Sequence, residues 1–117
     1  MKIGVTQIIL RKYPLDEIIA LCQRAGYEIL ELVFGEGSEP DISMSDDDLK
    51  ALRARFDQAG IEVTSLIAQY SDRGNFLDAD PELRERRMRS LVRSLEIAGA
   101  MGVGAVLLHP GQLSVDF

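Results

Sequence analysis

Cysteine, histidine and surplus basic charge are all scarce in this chain, and each scarcity removes a class of function. Among 117 residues there is one cysteine, Cys22, and one histidine, His109. A lone cysteine forms no internal disulfide, so a reducing cytoplasm is the expected compartment. Cys22 sits between Leu21 and Gln23, one turn after Ile18 and Ile19. A buried, inert thiol fits that setting better than a nucleophile does. Lys and Arg number 13 against 19 Asp and Glu, for a net charge of −6. Phosphate backbones call for clustered excess cation, so a general nucleic-acid binder is not expected. A small anionic substrate held by a few local groups remains compatible.

Several motifs are missing as well. No G-x-G-x-x-G and no G-x-x-x-x-G-K-[ST] occurs, so nothing supports a nucleotide-binding sheet. No Ser-His-Asp or Cys-His constellation can be assembled, and one histidine with scattered acids does not specify a metal site. No secretory signal is visible: Met1-Lys2 leads into a short apolar stretch holding Gly4, Thr6 and Gln7, then Arg11 and Lys12. The stretch from Ile97 to Val115 lacks Asp, Glu, Lys and Arg. Glycines, His109, Pro110 and Gln112 divide it into a helix end, a short strand and a loop. A soluble protein without a membrane partner is the expectation.

What is present is a weak internal repeat. Arg24-Ala25-Gly26 precedes an apolar run from Tyr27 to Phe34. Gln58-Ala59-Gly60 precedes one from Ile61 to Ala68, and Ala100-Met101-Gly102 one from Val103 to His109. Each time a helical pattern stops at glycine, which takes the left-handed conformation that ends helices, and a strand pattern begins. Repeated helix-Gly-strand junctions are the sequence form of βαβ units.

The spacing predicts strands over Lys2 to Gln7, Glu28 to Phe34, Ile61 to Ala68 and Ala105 to His109. A helix opens near Pro14, with Leu15, Ile18, Ile19, Cys22 and Ala25 forming its apolar stripe. A second opens at Ser45-Asp46-Asp47-Asp48, where serine caps and the acids suit the helix dipole; Leu49, Leu52, Phe56 and Ala59 form its stripe. A third opens at Asp80-Pro81 and runs to about Met101, with Met88, Leu91, Val92, Leu95 and Ala98 on one face. Glu82 with Arg86 and Glu85 with Arg89 are favourable i,i+4 pairs. The Arg-rich segment Arg84 to Arg93 reads as a solvated face with matched acids rather than a phosphate patch.

The strands are nearly continuous apolar runs, the mark of parallel strands covered on both faces. The fold class is therefore α/β, a parallel β-α-β-α-β-α-β run within a single domain, residues 1–117. Ligands of such folds bind at the carboxyl ends of strands. That rule selects Gln7 after strand one, Glu31 in strand two, Gln69 and Tyr70 after strand three, and His109 at the end of strand four. His109 can bind a metal, shuttle a proton or donate to a sugar hydroxyl, or else simply cap backbone groups. Glu31, flanked by Leu30 and Leu32, must be paired or functional; a structural pair with Lys2 is the alternative to a role in chemistry. Asp72, Asp78 and Asp80 are explained by capping and solvation.

The succession Ala25-Gly26-Tyr27-Glu28-Ile29-Leu30-Glu31-Leu32, then Ala59-Gly60-Ile61-Glu62-Val63, then Leu107-Leu108-His109-Pro110-Gly111 resembles the xylose-isomerase-like TIM-barrel superfamily across essentially the whole chain. The resemblance implies half of a (β/α)8 TIM barrel, a partial barrel domain of strands one to four with three helices. It implies a sugar isomerase or epimerase acting on a small polyhydroxylated carbonyl compound by proton transfer next to the carbonyl. A divalent metal (Mn, Mg, Co or Zn) is expected only with the complete barrel. His109 matches the family's strand-four histidine, at the metal or substrate site; Glu31 matches its strand-two glutamate, at the pocket wall or in support of it. Glu31 and His109 are thus the catalytic candidates, His109 the candidate metal ligand, and Gln7, Gln69 and Tyr70 the substrate-binding candidates.

Two departures bear on this. The family's main metal-binding residues come from later strands, and a full barrel takes roughly 250 residues. The endonuclease IV branch carries a further histidine at the end of strand three, where this chain has Ala68-Gln69-Tyr70. That, with the acidic charge, disfavours a DNA-repair reading. A stand-alone half-barrel acting as a binding or scaffold module is the remaining alternative; its open sheet edges would invite self-association.

Overall fold

In the computed structural model, residues 1–35, 38–68 and 76–109 are described. Four strands and three helices alternate: β1 (Gly4–Thr6), α1 (Leu15–Ala25), β2 (Ile29–Phe34), α2 (Asp46–Ala59), β3 (Glu62–Ala68), α3 (Pro81–Ala100) and β4 (Ala105–Leu108). The strands form one parallel sheet in the order β1-β2-β3-β4. Sequential parallel neighbours joined by helices are the wall of a barrel, here half of one. The expected strands are all present. The first is shorter than expected, because Thr6 Oγ1 accepts the Ile8 N–H and turns Gln7–Leu10 into a 3-10 turn.

The repeated glycine junctions are three copies of one cap. Gly26, Gly60 and Gly102 all have positive φ, between 66° and 76°. In each copy the residue after glycine donates back to the carbonyl five positions earlier: Tyr27 to Cys22 at 2.9 Å, Ile61 to Phe56 at 3.0 Å and Val103 to Ala98 at 2.8 Å. This bond closes a helix and aims the chain back along the sheet. The helix starts also follow the sequence. Ser45 and Asp48 form a reciprocal capping box on α2, and Asp80 caps α3 with Pro81 in its first turn.

The two faces of the sheet are distinct. Leu30, Leu32 and Phe34 of β2, with Val63 and Leu66 of β3, pack against Ile18 and Cys22 of α1 and Leu49, Leu52 and Phe56 of α2. These side chains form the core, each worth about 1.5–3 kcal/mol when taken from water. Side chains alternate along a strand, so Thr6, Ile29, Glu31, Val33, Ser65, Ile67, Ala105 and Leu107 lie on the opposite, inner face.

Helix α3 departs from its hydropathy pattern. It buries Arg87, Ser90, Ser94, Ile97 and Ala98, and leaves Met88, Val92 and Leu95 about half exposed. Serines are small enough to let the helix sit close to the sheet, and Ser94 satisfies its own hydroxyl on the Leu91 carbonyl at 2.7 Å. The Arg-rich segment is likewise only partly solvated. Glu85 and Arg89 pair at 3.0 Å in the open. Arg87 is buried, and Arg93 donates to the carbonyls of Ile42 at 3.2 Å and Met44 at 2.7 Å.

Candidate functional site

Sheet register sorts the candidates by level. Thr6 lies opposite Glu31, Glu31 opposite Ser65, and Ser65 opposite Ala105. This row crosses the sheet on the inner face. The next inner row toward the carboxyl ends is Val33, Ile67 and Leu107. His109 follows β4, four residues beyond Ala105, which is about 13 Å farther along the strand. Glu31 and His109 therefore do not share a level.

Glu31 is half-buried, and its Oε2 accepts a hydrogen bond from Ser65 Oγ at 2.7 Å. The contact depends on an irregularity. Leu30 pairs with Val63 but Glu31 pairs with Ser65, so Thr64 has no opposite number. That bulge brings serine beside the carboxylate. The alternative partner considered from sequence, Lys2, is engaged elsewhere: its Nζ meets Glu62 Oε2 at 2.5 Å on the exposed edge. The pair holds the Glu62 carboxyl below its ordinary range and the Lys2 amine above its own, through the hydrogen bond first and the opposite charge second.

Gln7 is buried at the carboxyl end of β1, and its Oε1 accepts the Val33 N–H at 2.7 Å. Its side chain thereby continues the β1–β2 ladder one step past the end of the strand. Its amide nitrogen and the second lone pair of Oε1 remain to meet a ligand. Gln69 and Tyr70 lie outside the described residues.

His109 is exposed at the carboxyl end of β4. Its carbonyl accepts from Arg87 Nη2 at 3.1 Å, and the Arg87 guanidinium lies 5.4 Å from the centre of the Phe76 ring. Arg87 thus ties α3 to the strand end that carries the only histidine. Sequence reasoning missed both Arg87 and Ser65. The signal for Arg87 is its spacing: positions 87, 90, 94 and 97 form a helical stripe that hydropathy hides because three of its members are polar.

Among the described residues, no group of three or more His, Cys, Asp or Glu side chains converges as a metal cluster would. His109 alone does not fit a divalent ion, and any such site would need ligands from elsewhere. Among the described residues, no helix is long and apolar enough to cross a membrane.

The model of the family described as xylose isomerase-like TIM barrel matches residues 19–116. The chain belongs to that family. No curated protein matches its sequence. Among solved structures, a D-tagatose 3-epimerase-like protein aligns over 97% of this chain with a TM-score of 0.74 and 22% identity. D-psicose 3-epimerase, solved in the presence of D-fructose, aligns over 91% with a TM-score of 0.67 and 17% identity. A xylose isomerase domain protein from Planctomyces limnophilus aligns over 96% with a TM-score of 0.71 and 20% identity. At these identities the likeness shows the fold. The chain spans only 39%, 36% and 42% of these three structures, respectively.

Proposed function

We propose that this chain forms the first half of a cytoplasmic sugar isomerase or epimerase, which moves a proton at the carbon next to a carbonyl in a small polyhydroxylated substrate. The observation carrying this reading is the position of His109. It follows the last strand of a half-barrel in the xylose isomerase-like family, at the rim where parallel barrels assemble their sites. The epimerase names of two structural neighbours support the substrate class.

In the proposed reaction a base takes the proton, and the C–H electrons form the double bond of an enediolate as charge moves to the carbonyl oxygen. Return of the proton to the other face of the same carbon epimerises the sugar; return to the neighbouring carbon isomerises it. His109 hydrogen-bonds the substrate oxygen or relays the proton there. Arg87 is the positioning residue behind it. Glu31 is assigned a supporting role deeper on the inner face, Gln7 orients substrate through its amide nitrogen, and Gln69 and Tyr70 are assigned to substrate binding. The described residues do not form a metal site, so no step is assigned to a metal. Ligands for one belong to the later strands.

The test is proton exchange. The complete protein, incubated with D-fructose, D-psicose or D-tagatose in D2O, is expected to incorporate deuterium next to the carbonyl, seen by NMR. His109→Asn should slow exchange by about 10²–10⁴-fold, the usual worth of a positioned acid or base. Full exchange in His109→Asn removes the assignment. No exchange with any keto-sugar removes the reading.

A further inference from the structure

The β3–β4 register ends with Ala68 opposite Leu108, one residue short of His109. The next fixed point along that strand comes from a helix. Arg87 Nη2 donates to the His109 carbonyl at 3.1 Å, and Arg87 itself is only 6% exposed. The same guanidinium lies over the Phe76 ring, 5.4 Å from its centre. A planar guanidinium has two separate surfaces for contact. Its face can rest on an aromatic ring while an N–H at its edge donates in the plane. An ammonium offers no such division, so this position calls for arginine.

Phe76 is held as well. It is half-buried in the turn that leads into α3. Arg84 Nη1 donates to the Asp78 carbonyl at 2.6 Å and to the Ala79 carbonyl at 3.0 Å, and Asp78 Oδ1 accepts the Asp80 N–H at 3.0 Å. Asp80 in turn caps α3. The ring therefore stands on a short segment fixed to the helix that carries Arg87.

We propose that Phe76 is a positioning residue for His109, acting through the Arg87 guanidinium. The ring keeps the guanidinium from swinging away from the strand end. Nη2 then holds the carbonyl, and the carbonyl sets the backbone from which the imidazole projects. The proposal rests on reading His109 as the group that meets the substrate oxygen. Displacing such a group by about 1 Å lowers turnover more than it lowers binding.

The experiment has two arms. The chain holds one histidine, so the Cε1 proton of His109 gives a single NMR line that needs no assignment. Phe76→Leu keeps apolar bulk but removes the ring, and it should shift or broaden that line, as should Arg87→Lys. Phe76→Tyr keeps the ring and should leave the line in place. In the complete protein, deuterium exchange into a keto-sugar should lose about tenfold in kcat in Phe76→Leu, with KM unchanged within about twofold, and recover in Phe76→Tyr. Arg87→Lys should lose about as much, and adding Phe76→Leu to it should cost nothing further. A wild-type line and kcat in Phe76→Leu, equal losses in the Leu and Tyr variants, or independent losses in the double variant overturn the proposal. Absence of exchange in the wild-type protein removes the reaction assigned to His109, and the NMR line still decides whether Phe76 positions it. Far-UV circular dichroism verifies each fold. Should Arg87→Lys not fold, the contrast between Phe76→Leu and Phe76→Tyr decides alone.

Discussion

Ser65 donates to Glu31 at 2.7 Å only because the sheet slips register by one residue between them. A regular ladder would set Thr64 opposite Glu31 and turn Ser65 toward the helices. The bond therefore tests the register and the inner-face chemistry together. Ser65→Ala should lower stability by about 1 kcal/mol, below the usual range for bonds to charged groups because Glu31 is only half-buried. Urea unfolding of Ser65→Ala, Glu31→Gln and the double variant forms a mutant cycle. A coupling near zero would show that the pair contributes nothing in solution.

Gly4 marks where β1 comes closest to β2. A Cβ built there would lie 2.7 Å from Ile29 Cβ and 2.9 Å from the Ile29 carbonyl oxygen, so backbone would have to move. Gly4→Ala should cost about 1–3 kcal/mol by overpacking. Gly99 in α3 is the internal control, because nothing lies within 4 Å of its added Cβ. Gly99→Ala should instead stabilise by about 0.5–1 kcal/mol through helix propensity. Thermal melts that move in opposite directions bear out both; equal shifts sink the close-approach account.

The fold was legible because its signals are local. Gly26, Gly60 and Gly102 announce their caps in sequence, and Ser45 and Asp80 announce helix starts. The site was legible only as positions. His109 lies at the strand end where alternation puts it, but the partner of Glu31 is Ser65 and not Lys2. That choice depends on a bulge between two strands, and nothing in either strand alone encodes it. The inward face of α3 was hidden for another reason. Hydropathy scores whole residues, whereas Arg87 buries an apolar stem and places its charged head on the His109 carbonyl. Met88, Val92 and Leu95 form the better apolar stripe and stay exposed, because a stripe says which face wants cover but not what lies beside it.

Acid should loosen α2 from its first turn. Asp48 accepts from Ser45 Oγ at 2.6 Å and from the Ser45 N–H at 3.1 Å, and these bonds hold its carboxyl below the ordinary value of 3.8. A carboxyl depressed by folding stabilises the fold above its unfolded value, and that contribution is lost as pH falls through the lower, folded value. Asp48→Asn should therefore flatten the acid limb of the stability profile below about pH 4 while changing little in its shape near neutrality. Ser45→Ala, which removes the other half of the box, should cost about 1 kcal/mol at neutral pH. Denaturation midpoints across pH distinguish the two. An unchanged acid limb in Asp48→Asn would remove this carboxylate from the account.

Cys22 separates a structural thiol from a reactive one. It is fully buried in the core between α1 and the sheet, and desolvation pushes its thiol above the ordinary value of 9.0. The thiolate is the reactive form, so burial lowers both access and the reactive fraction. At about pH 8, an aromatic disulfide reagent should label the native chain at least a hundredfold more slowly than the chain in denaturant. Because labelling then requires opening of the core, its rate should rise in Gly4→Ala as stability falls. If the native chain instead labels as fast as a free thiol, α1 does not seal the core as the packing of Ile18 and Cys22 against β2 requires. A nucleophilic role would then return to consideration.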